Sequence, residues 1–277
     1  MADGSTGEYA SEESFPSTWE RPTVFYNDAV KWLVYGLLVA FVLWSAWEMR
    51  VSADRILAGT EGGIGLVTAM VPPDFTPDAR MRIWNGMVES VSMAIVATII
   101  GVVLSTPIAV LAAENLVPRP VYVVGRAIVS ISRALHELVL GIIAVIAVGF
   151  GPLAGVIALV FATPGFFSKL LAEDLEDIDA GQVDAIRATG ANQLQVLLYG
   201  VAPQVLPRFI GLAIYRWDIN IRASAIIGIV GAGGIGQTLL NSFDQYDYGF
   251  SSAIILSIIA VVLLGEVASA WWRRRVQ

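Results

Sequence analysis

Two arginine–carboxylate pairs lie within apolar segments of this chain, each spaced by four residues: Arg133 with Glu137, and Asp218 with Arg222. Ionisable groups in such segments are costly and usually functional. A spacing of four puts both members of a pair on one helix face, where the charges can neutralise each other. Two roles stay open. The pairs are internal ion pairs that fix helix orientation, or an arginine faces a pathway and transiently counters an anion with its two parallel donors. Arg216 stands near the second pair, and His136 beside the first. A third pattern, Gly231-Ala-Gly233-Gly234-Ile-Gly236 after an apolar run, matches a dinucleotide fingerprint. That reading needs strand–helix units and an acid about 20 residues onward. Residues 255–258 lie in an apolar stretch and supply no acid. Close helix packing and a non-helical turn at the outer membrane face explain these glycines better, because small residues let backbones approach.

Catalytic chemistry finds little else to work with. His136 is the only histidine and cysteine is absent, which removes zinc fingers, thiol catalysis, iron–sulfur clusters and disulfides. No metal site is expected. The only lysines, Lys31 and Lys169, do not follow glycine, so there is no phosphate-binding Walker motif. The chain is not expected to be an enzyme.

The elements that must hold these residues are apolar helices. Of 277 residues 56% are apolar and 15% charged, with mean hydropathy +0.69. A soluble domain has about 45–50% and about 25%. Six spans of about 20 residues would absorb the excess. The expected fold is an all-α integral membrane protein with about six transmembrane helices. Residues 32–47 form the first, edged by Trp32, Tyr35, Trp44 and Trp47 as interfacial aromatics require. Residues 48–84, with three prolines, read as an extracellular loop. Further spans are expected near 91–113, 122–148, 153–171, 207–230 and 252–272, with a polar loop at 172–206. The first 31 residues form an acidic tail without the basic start of a signal peptide, and 273–277 is a basic end. A net charge of −7 argues against nucleic acid as a partner. The acidic, lysine-poor balance fits a high-salt cytoplasm or a genomic base bias equally well.

Orientation follows from Lys and Arg in the loops. With a cytoplasmic amino terminus, ten lie inside: Arg21, Lys31, Arg119, Arg126, Lys169, Arg187, Arg208 and Arg273 to Arg275. Four lie outside: Arg50, Arg55, Arg80 and Arg82. Both termini and the 172–206 loop are therefore expected in the cytoplasm. Within that loop Asp179 and Gln182 have capping-box spacing. A helix should follow and stop at Gly190. Asn192 with Gln195 should open a second short helix, closed by Pro203 and Pro207.

Asp184-Ala185-Ile186-Arg187-Ala188-Thr189-Gly190, with Pro203 thirteen residues on, resembles the cytoplasmic "EAA" loop of ABC importer permeases. Asp184 stands for the family's Glu, Ile186 for its second Ala, Gly200 for its Ile and Ala202 for its Leu. Gly149-Phe-Gly-Pro152, the run from Tyr215 to Arg222, and the glycine turn at Gly231, Gly233, Gly234 and Gly236 resemble the permease subunit of phosphonate importers. The resemblance covers residues 85–272, a five-helix core to which the first span and tail are additions. It implies a homodimeric permease in the cell membrane that imports phosphonate or a related phosphorus oxyanion by alternating access. Phosphate, phosphite, methionine or another amino acid are alternative solutes; a nucleotide-binding membrane enzyme or an ion-coupled transporter are alternatives of another class. It also implies two cytoplasmic ATPase subunits holding ATP and magnesium, and an extracytoplasmic substrate-binding protein. Asp184, Ala185, Arg187, Gly190 and Pro203 are then the ATPase-coupling residues. Arg133, Glu137, Asp218 and Arg222 are candidates for the substrate pathway.

Overall fold

A computed structural model describes residues 27–50 and 52–276. Every regular element among them is helical. The acidic tail before residue 27 lies outside the described residues. Five helical segments are long and apolar enough to cross a membrane, six when one bent helix pair counts as a single span.

The chain divides into two units, residues 1–63 and 64–277. In the first, α1 (Asp28–Glu48) starts where Asn27 accepts the Ala29 N–H. None of its residues is buried, so its aliphatic and Trp side chains are left for lipid. The expected loop 48–84 is not irregular throughout. It contains α2 (Ala53–Ala69), which crosses the unit boundary. Gly59, Gly62, Gly63 and Gly65 weaken its helical signal, which hid it in the sequence.

In the second unit, α3 (Pro77–Leu111) begins well before the expected span at 91, with Pro77 in its first turn, where a missing N–H costs nothing. Its opening turns are amphipathic: Ala79, Ile83 and Met87 are buried with Ile235 and Phe250. α3 packs along α6 (Pro152–Glu176) through small residues. A Cβ at Gly101 would lie 2.7 Å from Thr163, and the Ser168 hydroxyl donates to the Ser105 carbonyl at 2.9 Å. Small residues of this kind permit the close backbone approach that stands in for hydrophobic driving force in lipid.

The expected third span is two helices. α4 (Arg119–Ala134) and α5 (Glu137–Val148) meet at 87°. Leu135 is extended, and His136 caps α5 by accepting the Leu138 N–H on Nδ1 at 3.2 Å. Beyond α6 come α7 (Ala180–Ala188), α8 (Gln193–Val196) and a wide π turn at Leu197–Val201. The turn runs into α9 (Ala202–Ile227), which starts before the expected 207. Pro203 and Pro207 therefore do not end the loop helix. Pro203 sits in the first turn of α9 and Pro207 within it. A glycine turn then leads to α10 (Gly234–Asp244) and to α11 (Tyr248–Val276).

Candidate functional site

The break after α4 decides the fate of the first charge pair. Glu137 opens a new helix, so a spacing of four does not place it on one face with Arg133. Among the described residues no ion pair joins them. The expected pairing is corrected on this ground. The second pair is present: Arg222 Nη1 lies 3.0 Å from Asp218 Oδ2. Asp218 is buried, whereas the Arg222 side chain keeps 40% exposure.

Helical geometry turns residues two apart to opposite faces, at about 100° per residue. α9 therefore carries a second polar row, Arg216 and Asn220, opposite Asp218 and Arg222. Both are buried. Arg216 Nε donates to Thr163 Oγ1 at 3.1 Å on α6, and Asn220 Nδ2 donates to Thr98 Oγ1 at 2.9 Å on α3. Arg216 Nη2 and Asn220 Oδ1 have no hydrogen-bond partner. Buried polar atoms are ordinarily satisfied, so these two mark a polar layer across α3, α6 and α9. In the sequence Arg216 stands only as a neighbour of the second pair, and Asn220 only within the run from Tyr215 to Arg222. The alternation of 216/220 with 218/222 was the available signal.

The 172–206 loop places its residues by local rules. Asp179 Oδ1 accepts the Gly181 N–H at 2.8 Å, which starts α7. Gln182 reaches the Asp179 carboxylate and not its backbone, because the Asp179 N–H is taken by Gln204 Oε1 at 2.8 Å. The box at Asn192 and Gln195 is complete in both directions. Gly190 has φ +82°, the left-handed conformation that glycine adopts without penalty. Val183 and Ile186 of α7 turn inward to a core cluster with Val196 and Val201. Asp184, Ala185 and Arg187 face out, the two charges paired at 3.1 Å, and Pro203 is exposed as well. The result is a short rigid helix with a small, mixed-charge outer face.

At the glycine turn, Gly231, Gly233 and Gly234 all have positive φ. A Cβ on Gly236 would overlap the Ala225 carbonyl oxygen. The N–H groups that a nucleotide phosphate would need are occupied from within. Gly234 N donates to Glu89 Oε1 at 3.0 Å, and Ile235 N donates to Ser90 Oγ at 2.9 Å, both on α3. This turn is a helix-packing device, and the dinucleotide reading loses both its strands and its donors.

A polytopic helical core, a polar layer across its spans and a rigid external helix–turn–helix together define a membrane transport subunit. The chain belongs to the binding-protein-dependent transport system inner membrane component family, which residues 105–277 match. It is 40% identical over 245 residues to a phosphite transport system permease, PtxC, of Stutzerimonas stutzeri, covering 87% of this chain and 86% of that protein. It is 37% identical to the phosphate-import permease PhnE of Mycolicibacterium smegmatis over 88% of this chain, spanning 45% of that longer protein. The methionine transporter MetNI, solved in an inward-facing form, shares the fold: TM-score 0.65 at 23% identity, covering 73% of this chain and all of that one.

Proposed function

We propose that this chain is the membrane-spanning half of an ATP-driven importer for phosphonate or a related phosphorus oxyanion. The observation that carries the substrate class is the match to a phosphite permease along most of both chains. A probable D-methionine permease of Pasteurella multocida matches at 26% over 66% of the chain. Two copies would enclose the pathway, and two ATPase subunits binding ATP and magnesium would dock on the outer face of α7. A substrate-binding protein would deliver solute from outside. ATP-driven closure of the ATPases would push α7, and the spans would rock between two access states. Asp184, Ala185, Arg187 and Gly190 carry that motion in this reading, and Pro203 fixes the start of α9 behind them. Arg222, partly exposed beside the buried polar layer, supplies a group that an anion can meet on its way.

The test is uptake in cells that lack their own phosphonate and phosphite import. The permease would be expressed with candidate ATPase and binding-protein subunits from the same organism. Expected is ATP-dependent uptake of methylphosphonate, phosphite or phosphate. Uptake of methionine without any phosphorus oxyanion would overturn the substrate class.

A further inference from the structure

We propose that the cleft at the α4–α5 break is an oxyanion-binding station on the translocation route, a reading that rests on the substrate class above. The break leaves a cavity of about 420 Å³ bounded by α4, α5 and α6, within the size range of small-ligand sites. Its wall carries Arg133, His136, Glu137 and Lys169, with Ser132 and Phe166. Donors outnumber acceptors there. Arg133 has no ion-pair partner among the described residues, and Lys169 is held only loosely by Glu173, at 3.4 Å one turn along α6. His136 accepts the Leu138 N–H on Nδ1, which leaves the proton of a neutral imidazole on Nε2, a further donor. A tetrahedral oxyanion, with several acceptors and no donor requirement, fits this set. A zwitterion would need acceptors for its ammonium, and Glu137 is the single acid on the wall.

The site is built, not incidental. Pro164 interrupts the hydrogen-bond ladder of α6, and Ser132 of α4 bridges the next rung. Its hydroxyl accepts the Gly165 N–H and donates to the Phe161 carbonyl, each at 2.9 Å. Gly165 has no side chain where a Cβ would lie 2.8 Å from both the backbone N and the Cγ of Arg133. The two helices thus lock at the residue that bears the guanidinium, and its stem lies against bare backbone. Glu137 stands on the same cavity wall as Arg133 and Lys169. It tempers the positive field of the cavity, so that an anion is held weakly enough to leave.

The experiment uses the complete permease–ATPase complex in nanodiscs without binding protein. Equilibrium binding of radiolabelled phosphate and methylphosphonate is measured, with methionine as the contrasting probe. Expected is saturable oxyanion binding that Arg133→Gln with Lys169→Gln weakens by about tenfold or more, the scale of a lost bidentate charge-assisted contact. Arg133→Lys should fall between, since it keeps charge and loses the fork. Glu137→Gln should tighten binding, an outcome that damage to the fold would not produce. Unchanged binding and uptake in an assembled Arg133→Gln/Lys169→Gln complex would overturn the site while leaving the substrate class intact. Equal binding of methionine would overturn it too. So would displacement of phosphate by phosphatidylglycerol added to the nanodiscs, which would make the cleft a lipid headgroup site. A wild-type complex that imports no phosphorus oxyanion would instead refute the functional reading on which the proposal stands.

Discussion

Asp218 and Arg222 show how one residue's surroundings set the value of its charge. Asp218 is buried and has Arg222 one turn away, while Arg222 remains partly exposed. Removing the arginine strands a buried carboxylate, a loss on the order of 3–5 kcal/mol for a fully buried pair and less here because Arg222 is open on one side. Arg222→Leu should therefore lower the melting temperature of the assembled complex. Replacing both by leucine should restore it, since a matched apolar pair is often neutral. Uptake per assembled complex then separates two roles. Full recovery in the double variant assigns the pair to helix orientation. A stable double variant with low oxyanion uptake assigns Arg222 to the pathway, and Arg222→Lys should then keep only part of the activity.

At the scale of elements, glycine positions make separable predictions. Gly190 ends α7 at φ +82°, and a Cβ there would meet nothing within 4 Å. The cost of a side chain is thus purely conformational, roughly 1–2 kcal/mol. Gly190→Val should reduce binding-protein-stimulated ATP hydrolysis, whereas Gly190→Asn, which tolerates the left-handed region, should retain most of it. Gly236 is the opposite case, limited by space. Its added Cβ meets the Ala225 carbonyl, which is backbone and cannot rotate away. Gly236→Ala should destabilise by about 1–3 kcal/mol, the usual cost of overpacking, read as a lower melting temperature in detergent. Gly36→Ala in α1 meets nothing and should leave it unchanged. These elements differ in how legible they were. Continuous apolar runs such as α1 and α11 announce themselves, and caps at Asp179, Gly190 and Asn192 follow local rules that a sequence displays. The break between α4 and α5 does not. No proline or glycine marks Leu135 and His136, and the lock of Ser132 on Gly165 beside them forms only after α4 and α6 have packed. Four-residue spacing consequently foretold Asp218 with Arg222 and misplaced Arg133 with Glu137. The oxyanion cleft is legible only in part: Arg133, His136 and Glu137 stand together in the sequence, whereas Lys169 joins their wall through tertiary contact alone.

For the whole molecule, the decisive quantity is orientation in the bilayer. The spans expected from the sequence leave ten arginines and lysines on one side and four on the other when the amino terminus is cytoplasmic, and cationic residues flanking spans are retained on the inner side. The same arrangement puts α7 and α8 in the cytoplasm, where an ATPase could reach the exposed face of Asp184, Ala185 and Arg187. It puts α10 on the other side, where a binding protein could reach it. The inverted arrangement would deprive α7 of any ATP-driven partner, so the coupling role of Gly190 stands or falls with topology. The chain contains no cysteine, which allows single thiols to be introduced on a silent background. Asp177 and Asn241 are exposed and flank opposite ends of the α9 segment, so Asp177→Cys and Asn241→Cys report the two faces. In sealed cells, a membrane-impermeant maleimide should label Cys at 241 at once and Cys at 177 only after permeabilisation. Labelling of the 177 site from outside in intact cells would invert the topology and remove α7 from the transport mechanism.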